Sequence, residues 1–323
     1  MKQQINILII RLSSIGDIFH TLTVLPDIKK KFPDSNIDWC VDKSFEKIVK
    51  LSPLVDNVLS IPLRKWKKNK LTWFFKLLDY KKRLSDKKYD YIIDTQGLIK
   101  SAFITKFLFN GKLYGLDKKS AREPLSSVFY DYKYNVNQNN IAVIRLRGLI
   151  AKIFDLDIDY NQIELPIIFN DCGIKLSANS ILFLHGTSKE SKKWDINNWK
   201  VLTEYILENS DNDIYLTFSN SEEELFANSL RSLVNDNRVK IVYKMEFALL
   251  ADLINKVKLI IGVDTGFTHL ANLLGKPTLA IYQDSDPSYV GIFKYNNSSN
   301  FGGNKLKVSA SEIINYIQSN KLL

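Results

Sequence analysis

The sequence predicts an α/β protein built from two doubly wound domains. Three observations carry that expectation. Apolar strand-like runs alternate with helix-like segments through both halves of the chain. The length of 323 residues is enough for two domains at roughly 150 residues each. A stretch rich in Asp and Asn, residues 155–180, separates the two series and carries Pro166 and Gly173.

In the first series INILIIR (5–11) reads as a buried parallel strand, and SSIGDIFHTL follows as a turn and a helix start. NIDWCV (36–41), NVLSI (57–61), YDYIID (89–94) and residues 112–115 are further strands, with a helix from Leu98. In the second series SILFLHG (180–186), DIYLTF (213–218), RVKIVY (238–243), KLIIGV (258–263) and PTLAIY (277–282) are strands with helices between them. The expected division is 1–165 and 166–323, with a C-terminal helix that can pack back on the first domain. Two such domains face each other across a cleft. Ligands of open α/β sheets bind beyond the carboxyl ends of strands, so function is expected just after them.

Hydrophobic residues at 45% and charged residues at 25% are ordinary globular values, which excludes wholesale disorder. No apolar run approaches the roughly 18 residues of a membrane span. The chain opens directly on a strand without a leader pattern, so a cytoplasmic protein is expected. Cys40 and Cys172 have neither metal-ligand nor CxxC spacing and read as free thiols in a reducing compartment. The net charge is +10, and residues 60–90 hold eleven basic groups against three acidic ones. Such a block suggests an anionic partner.

Asp17, at the turn after the first strand, is a helix cap or a general base facing the cleft. There is no GxGxxG, so a dinucleotide fingerprint is absent. His20, three residues on, can share its helix face. The segment GVDTGFTH follows a strand and opens a helix, whose free N–H groups suit a phosphate; Thr265 adds a hydroxyl and Gly266 a close backbone approach. Asp264 would cap that helix or accept sugar hydroxyls. In the loop Thr187-Ser188-Lys189-Glu190-Ser191-Lys192-Lys193, hydroxyls and lysines suit a diphosphate, unless the lysines are merely solvated. Glu222, Glu223 and Glu224 favour a helix dipole, and one of them can hold a ribose diol. Arg64, Lys65 and the following lysines, interleaved with Trp66, Trp73, Phe74 and Phe75, suit an anionic membrane interface or single-stranded nucleic acid. The spaced carboxylates Asp155, Asp157, Asp159 and Asp284, Asp286 could hold a divalent cation, although the first set lies in the linker.

RLSSIGDIFHTL, IPLRKWKK, IIDTQGLIKSA, SAREPLSSVFY, HGTSKESKKW and GVDTGFTHLANLLGKPTLAIYQDSDP, in this order, resemble the lipopolysaccharide heptosyltransferases, over nearly the whole chain. The family's ADP-heptose-dependent, inverting members have the GT-B fold of two Rossmann-like domains. SAREPLSSVFY and RKWKK narrow the resemblance to the heptosyltransferase I branch, which adds the first heptose to the Kdo of Kdo-lipid A.

The resemblance implies that the first domain binds the acceptor and the second ADP-heptose. Asp17 would be the base and Lys192 would stabilise the leaving ADP, with Thr187, Ser188, Thr265 and Gly266 around the phosphates. Asp264 and His269 would meet the heptose, Glu222 the ribose and Met245 the adenine. Glu222 requires a one-residue gap in the match. Ser14, Gly16, His20, Arg64, Lys65 and Arg122 would meet the acceptor. No cofactor or tightly held metal is expected, and no nucleic acid. The expected place is peripheral, on the cytoplasmic face of the inner membrane. The alternatives are heptosyltransferase II or another ADP-heptose transferase and, in a different class, a non-enzymatic basic module.

Overall fold

Runs such as NILII and SILFL are apolar on both faces, and such strands are stable where helices cover both sides of a parallel sheet. The computed structural model, which describes residues 4–66, 73–84, 87–169, 171, 173–177 and 179–323, contains two such sheets, each in its own unit.

The first unit, Met1–Ile168, holds strands β1 (Asn6–Ile10), β2 (Asn36–Asp42), β3 (Asn57–Ile61), β4 (Lys88–Asp94), β5 (Asn110–Leu116) and β6 (Tyr132–Tyr134). Its helices are α1 (Ile15–Leu22), α2 (Val24–Lys31), α3 (Glu46–Val49), α4 (Leu63–Trp66), α5 (Trp73–Arg83), α6 (Ile99–Leu108) and α7 (Ala142–Phe154). All pairings are parallel, in the order β3-β2-β1-β4-β5-β6. Leu8, Ile10, Ile92 and Leu113 form one buried face with Ala102, Ile104 and Leu108 of α6.

The second unit, Phe169–Leu323, repeats this plan with β7 (Ser180–Leu184), β8 (Asp213–Thr217), β9 (Val239–Val242), β10 (Leu259–Val263), β11 (Thr278–Tyr282) and β12 (Ser299–Gly302). Between and after them lie α8 (Ile196–Asn209), α9 (Ser221–Val234), α10 (Phe247–Lys256), α11 (Gly266–Leu273), α12 (Pro287–Val290) and α13 (Ala310–Asn320). The order β12-β11-β10-β7-β8-β9 is that of the first sheet, strand for strand. Trp199 is fully buried against Phe183 and Trp194, with ring centroids 4.8 and 5.0 Å away.

The ten expected strands all form. The edge strands β6 and β12 were not foreseen, because YKY and SNFG are short and lack an apolar run. The division falls at 168/169, three residues later than 165/166. Arg147 explains part of the shift: buried on α7, it binds both carboxylate oxygens of Asp27 at 2.7 and 2.9 Å and the carbonyls of Asp159 and Gln162. The Ile168 N–H then donates to the Leu51 carbonyl at 2.8 Å, so the segment to Ile168 stays with the first sheet. The C-terminal helix α13 buries Ile313 and Ile317 in the second unit's own core, beside Trp199 and Leu202.

In each sheet the strand order reverses between two parallel central strands, β1 and β4 in one, β7 and β10 in the other. Register places Ile10 opposite Asp94, and Leu184 opposite Gly262. Residues 11–17 and 95–97 therefore emerge together, as do 185–192 and 264–269, at the positions where such sheets bind ligands.

Candidate functional site

Ser14 is the N-cap of α1 and Asp17 its third residue, so Asp17 is not itself the cap. Asp17 Oδ2 accepts from the Ser14 N–H at 3.2 Å and the Ser14 hydroxyl at 3.0 Å, the carboxylate half of a capping box. Its Oδ1 lies 2.8 Å from Arg11 Nη2. Burial raises the carboxyl's pKa, but the Arg11 guanidinium, then His20 and the two Ser14 donors, bring it down to about 2. Asp17 thus stands as a carboxylate at neutral pH with its side chain 31% exposed.

Arg11, which reads in the sequence only as the end of a strand, is itself held by the neighbouring loop. Its Nη1 donates to the Thr95 carbonyl, and its own carbonyl accepts from Trp39 Nε1 at 3.3 Å. That loop is tied to β1 by Leu12 N–H to Gln96 Oε1, 2.9 Å, and by the Thr95 N–H and hydroxyl to the Ile10 carbonyl, 3.1 and 2.9 Å. Asp94, fully buried at the end of β4, accepts from the Gln96 N–H, Ser101 Oγ and Tyr130 OH at 2.8, 2.8 and 2.9 Å. Burial raises its carboxyl despite those donors. Two glycines allow this packing. Gly97 has φ +64°, and a Cβ on Gly115 would stand 2.4 Å from the Tyr130 ring.

Of the other residues expected at the acceptor, Ser14, Arg64, Lys65 and Arg122 are exposed, whereas Gly16 and His20 are buried. His20 therefore acts on Asp17 through its field and offers little surface to a ligand. The Arg64 guanidinium lies over the Phe45 ring at 4.5 Å. Lys67, Lys68 and Lys70 of the basic block lie outside the described residues, as does Cys172. Cys40 is buried, which pushes its thiol well above its ordinary pKa.

In the second unit one carboxylate gathers most of the expected residues. Asp264, beyond β10, lies 2.6 Å from Lys192 Nζ, accepts from Ser285 Oγ, and has His269 Nε2 at 3.7 Å. Its carbonyl accepts from Thr187 Oγ1 at 3.0 Å. Burial raises the Asp264 carboxyl, but His269, Lys192 and Ser285 outweigh it and hold it well below the ordinary carboxylate range. The cap of α11 is Thr265, not Asp264, and Gly266 starts the helix with its N–H groups free of side-chain caps. Gly262 is required beneath this turn, because a Cβ there would meet Thr268 Oγ1 at 2.4 Å. Ser285 carried no signal of its own in the sequence; its neighbours in QDSDP drew notice only as spaced acids.

Asp284 accepts from Ser191 Oγ at 2.9 Å and Asp286 caps α12 through the Ser288 N–H at 2.8 Å; Asp155 ends α7 in a left-handed conformation.

Glu222 is exposed and pairs with Lys193, at the far end of the loop beyond β7. The carboxylate that lies over the start of that loop is its neighbour Glu223, whose oxygen would be 2.5 Å from a Cβ on Gly186 and which accepts from the Ser219 N–H and hydroxyl at 2.7 Å. Asn220 caps α9, so the helix's first turn directs Glu223 back over Gly186 and Glu222 outward. Beneath them His185 is buried against the Phe226 ring, and burial lowers its pKa to about 4 against the opposing pull of Glu223. Ser188 is exposed and Thr187 half-buried. Met245 is half-buried before α10, where Phe247 stacks on Phe267 with centroids 5.8 Å apart.

Residues 77–313 match the pattern of Glycosyltransferase family 9 (heptosyltransferase). The chain is 32% identical to Lipopolysaccharide heptosyltransferase 1 of Salmonella typhimurium, over 90% of this chain and 92% of that one. It is 31% identical to the protein of that name from Campylobacter coli, over 90% and 87%. Among solved structures it resembles E. coli heptosyltransferase WaaC with ADP, at 30% identity and TM-score 0.85 over 98% of this chain and 100% of the other. Its likeness to WaaC with ADP-2-deoxy-2-fluoro heptose, at 29% and 0.84, has the same coverage.

Proposed function

The chain belongs to glycosyltransferase family 9, the heptosyltransferases, and from that premise we propose that it moves L-glycero-D-manno-heptose from ADP-heptose to the Kdo of Kdo-lipid A, with inversion. It is a glycosyltransferase of GT-B fold, which sets aside a non-enzymatic basic module. The donor assignment is supported by relatives solved with ADP and with ADP-2-deoxy-2-fluoro heptose. Asp17 carries the reading of the reaction: a carboxylate kept ionised yet open to solvent, at a strand's carboxyl end.

In the proposed reaction Asp17 takes the proton of a Kdo hydroxyl. That oxygen forms a bond to the anomeric carbon as the bond from this carbon to the diphosphate oxygen breaks. One displacement inverts the centre and needs no protein nucleophile. The departing ADP gains a negative charge, which Lys192 meets as a point charge. The Thr187 and Ser188 hydroxyls and the free N–H groups at Thr265 and Gly266 add donors. Lys192 is already aimed by Asp264, so the donor would find it in place. Glu223 takes over the ribose diol from Glu222 in this reading, because it lies over Gly186 at the start of the β7 loop while Glu222 turns outward to Lys193. Met245 with the Phe247–Phe267 pair offers an apolar wall for adenine. Ser14, Arg64, Lys65 and Arg122 are the groups left to meet an anionic acceptor.

Cations and N–H groups neutralise the leaving charge here, so transfer should proceed without a tightly bound metal. Activity retained in EDTA is the expected result; complete loss restored by magnesium or manganese would overturn it. No helix among the described residues is long and apolar enough to cross a membrane. A peripheral place on the cytoplasmic face of the inner membrane fits a nucleotide-sugar donor and a lipid acceptor. The deciding experiment incubates the protein with ADP-L-glycero-β-D-manno-heptose and Kdo-lipid A and reads the added heptose by mass spectrometry, beside Asp17→Ala. Transfer by wild type alone supports both reaction and base. Transfer only to an already heptosylated acceptor would move the assignment to heptosyltransferase II.

A further inference from the structure

We propose that Arg11 is the positioning residue of the transfer reaction, fixing the orientation of Asp17 through a brace to the loop after β4. This rests on Asp17 being the base. A guanidinium with free rotamers would add only a solvated ion pair, of little consequence. Arg11 is not such a group. Its side chain is 10% exposed, one terminal nitrogen is committed to the Thr95 carbonyl, and the other reaches Asp17 Oδ1 at 2.8 Å. Its Nε is buried with no hydrogen-bond partner among the described residues. Leaving a buried N–H unmet is unfavourable, so the guanidinium is placed for what its two terminal nitrogens join.

The brace has a built foundation. The Thr95 carbonyl can hold Arg11 only if the loop after β4 is fixed, and buried Asp94 fixes it from below through the Gln96 N–H at 2.8 Å. From the other side Gln96 Oε1 fastens it to Leu12, the residue after Arg11. The result for Asp17 is directional. Arg11 occupies one side of Oδ1, and the Ser14 N–H and hydroxyl both donate to Oδ2. A carboxylate has about four acceptor sites, so one remains, on Oδ1, for an incoming hydroxyl, in an orientation the protein sets.

The ionisable groups acting on Asp17 are Arg11, from the end of β1, and His20, from its own helix. On α7, which packs against α1, Arg147 is committed to Asp27. Without Arg11, burial would act on Asp17 opposed only by His20 and Ser14, and its protonation would move up toward the working pH.

The test compares wild type, Arg11→Met, Arg11→Lys and Asp17→Asn for heptose transfer from pH 5 to 9, with ADP affinity by calorimetry and thermal melting as controls. Wild type should show no acid limb from Asp17 in this range. Arg11→Met should lose about 100-fold in kcat, the scale of a disabled general base. It should keep ADP affinity within about twofold and gain an acid limb between about pH 5 and 7. Arg11→Lys, which keeps the charge but not the fork, should recover part of kcat and remove the limb. Near-wild-type kcat in Arg11→Met overturns the proposal. So does a loss in both Arg11 variants with an unchanged pH profile, the mark of a purely structural role. If Asp17→Asn turns over normally, the base assignment itself fails. If Asp17→Asn is inactive while Arg11→Met is normal, only the role of Arg11 fails.

Discussion

Beyond β1 the carboxylate of Asp17 is 31% exposed and has one buried cation beside it. Beyond β10 the carboxylate of Asp264 is 8% exposed and has Lys192, His269 and Ser285 around it. The two sheets have the same strand order, so the difference lies in the loops. In the second unit, hydroxyls and cations are tied together before any ligand arrives. In the first, one ionised carboxylate, the proposed base, is held in place while Arg64, Lys65 and Arg122 stand exposed. A nucleotide-sugar site gains from being preorganised around a diphosphate. A site for a large anionic lipid gains from reach, which long solvated side chains provide.

The largest effect should come from breaking the ready base. Asp17→Ala removes the only proton acceptor assigned to the reaction, so turnover should fall by about 10³-fold or more. ADP affinity should change by less than about threefold, since the residues proposed for the donor follow strands of the other sheet. Stopped transfer with intact calorimetric ADP binding is the expected pair of results, and normal turnover would remove the base. Next comes Lys192→Ala, which leaves Asp264 buried without its cation and the departing ADP without its point charge. Donor kcat/KM should fall by about 10²-fold. Unchanged donor kinetics would show that Asp264 and Lys192 serve the fold alone.

The placement of these two residues was legible because chemistry and topology coincide at them: a Lys or Asp in the loop after an apolar strand reads as a candidate site at a strand end. The strands themselves were legible from runs apolar on both faces, and only β6 and β12, short and polar at the sheet edges, escaped. What could not be read was which side chain turns inward. Glu222 and Glu223 are neighbours in one acidic run, and about 100° of helical rotation decides that Glu223 lies over Gly186. That rotation is set by where Asn220 starts the helix, a boundary that sequence patterns place only within a few residues. Arg11 hid for a related reason. It reads as the end of a strand, and only register with β4 brings Thr95 to it.

The glutamates therefore give an internal comparison of intermediate size. Glu223→Gln should raise donor KM by about tenfold, the loss of one charge-assisted hydrogen bond to a diol. Glu222→Gln should stay within about twofold, because its exposed pair with Lys193 contributes little. The reverse ranking, read from ADP-heptose saturation curves, would restore Glu222 to the ribose.

The smallest effects belong to the exposed cations of the first unit, and they sharpen the comparison by depending on salt. Arg64 and Lys65 lie on α4, adjacent in sequence and both exposed, with the Arg64 guanidinium over Phe45 at 4.5 Å. Their attraction for an anionic acceptor acts through water and falls off over a Debye length of about 10 Å at 0.1 M salt. Removing both in Arg64→Ala, Lys65→Ala should raise the acceptor KM by about three- to tenfold at low ionic strength, at up to about 1 kcal/mol per exposed charge. Donor KM should not move. At roughly 0.5 M salt, where screening has already removed most of that attraction, variant and wild type should converge. A penalty that persists undiminished at high salt would mean that these cations are desolvated against the acceptor, and that the first unit, too, meets its ligand through groups withdrawn from water.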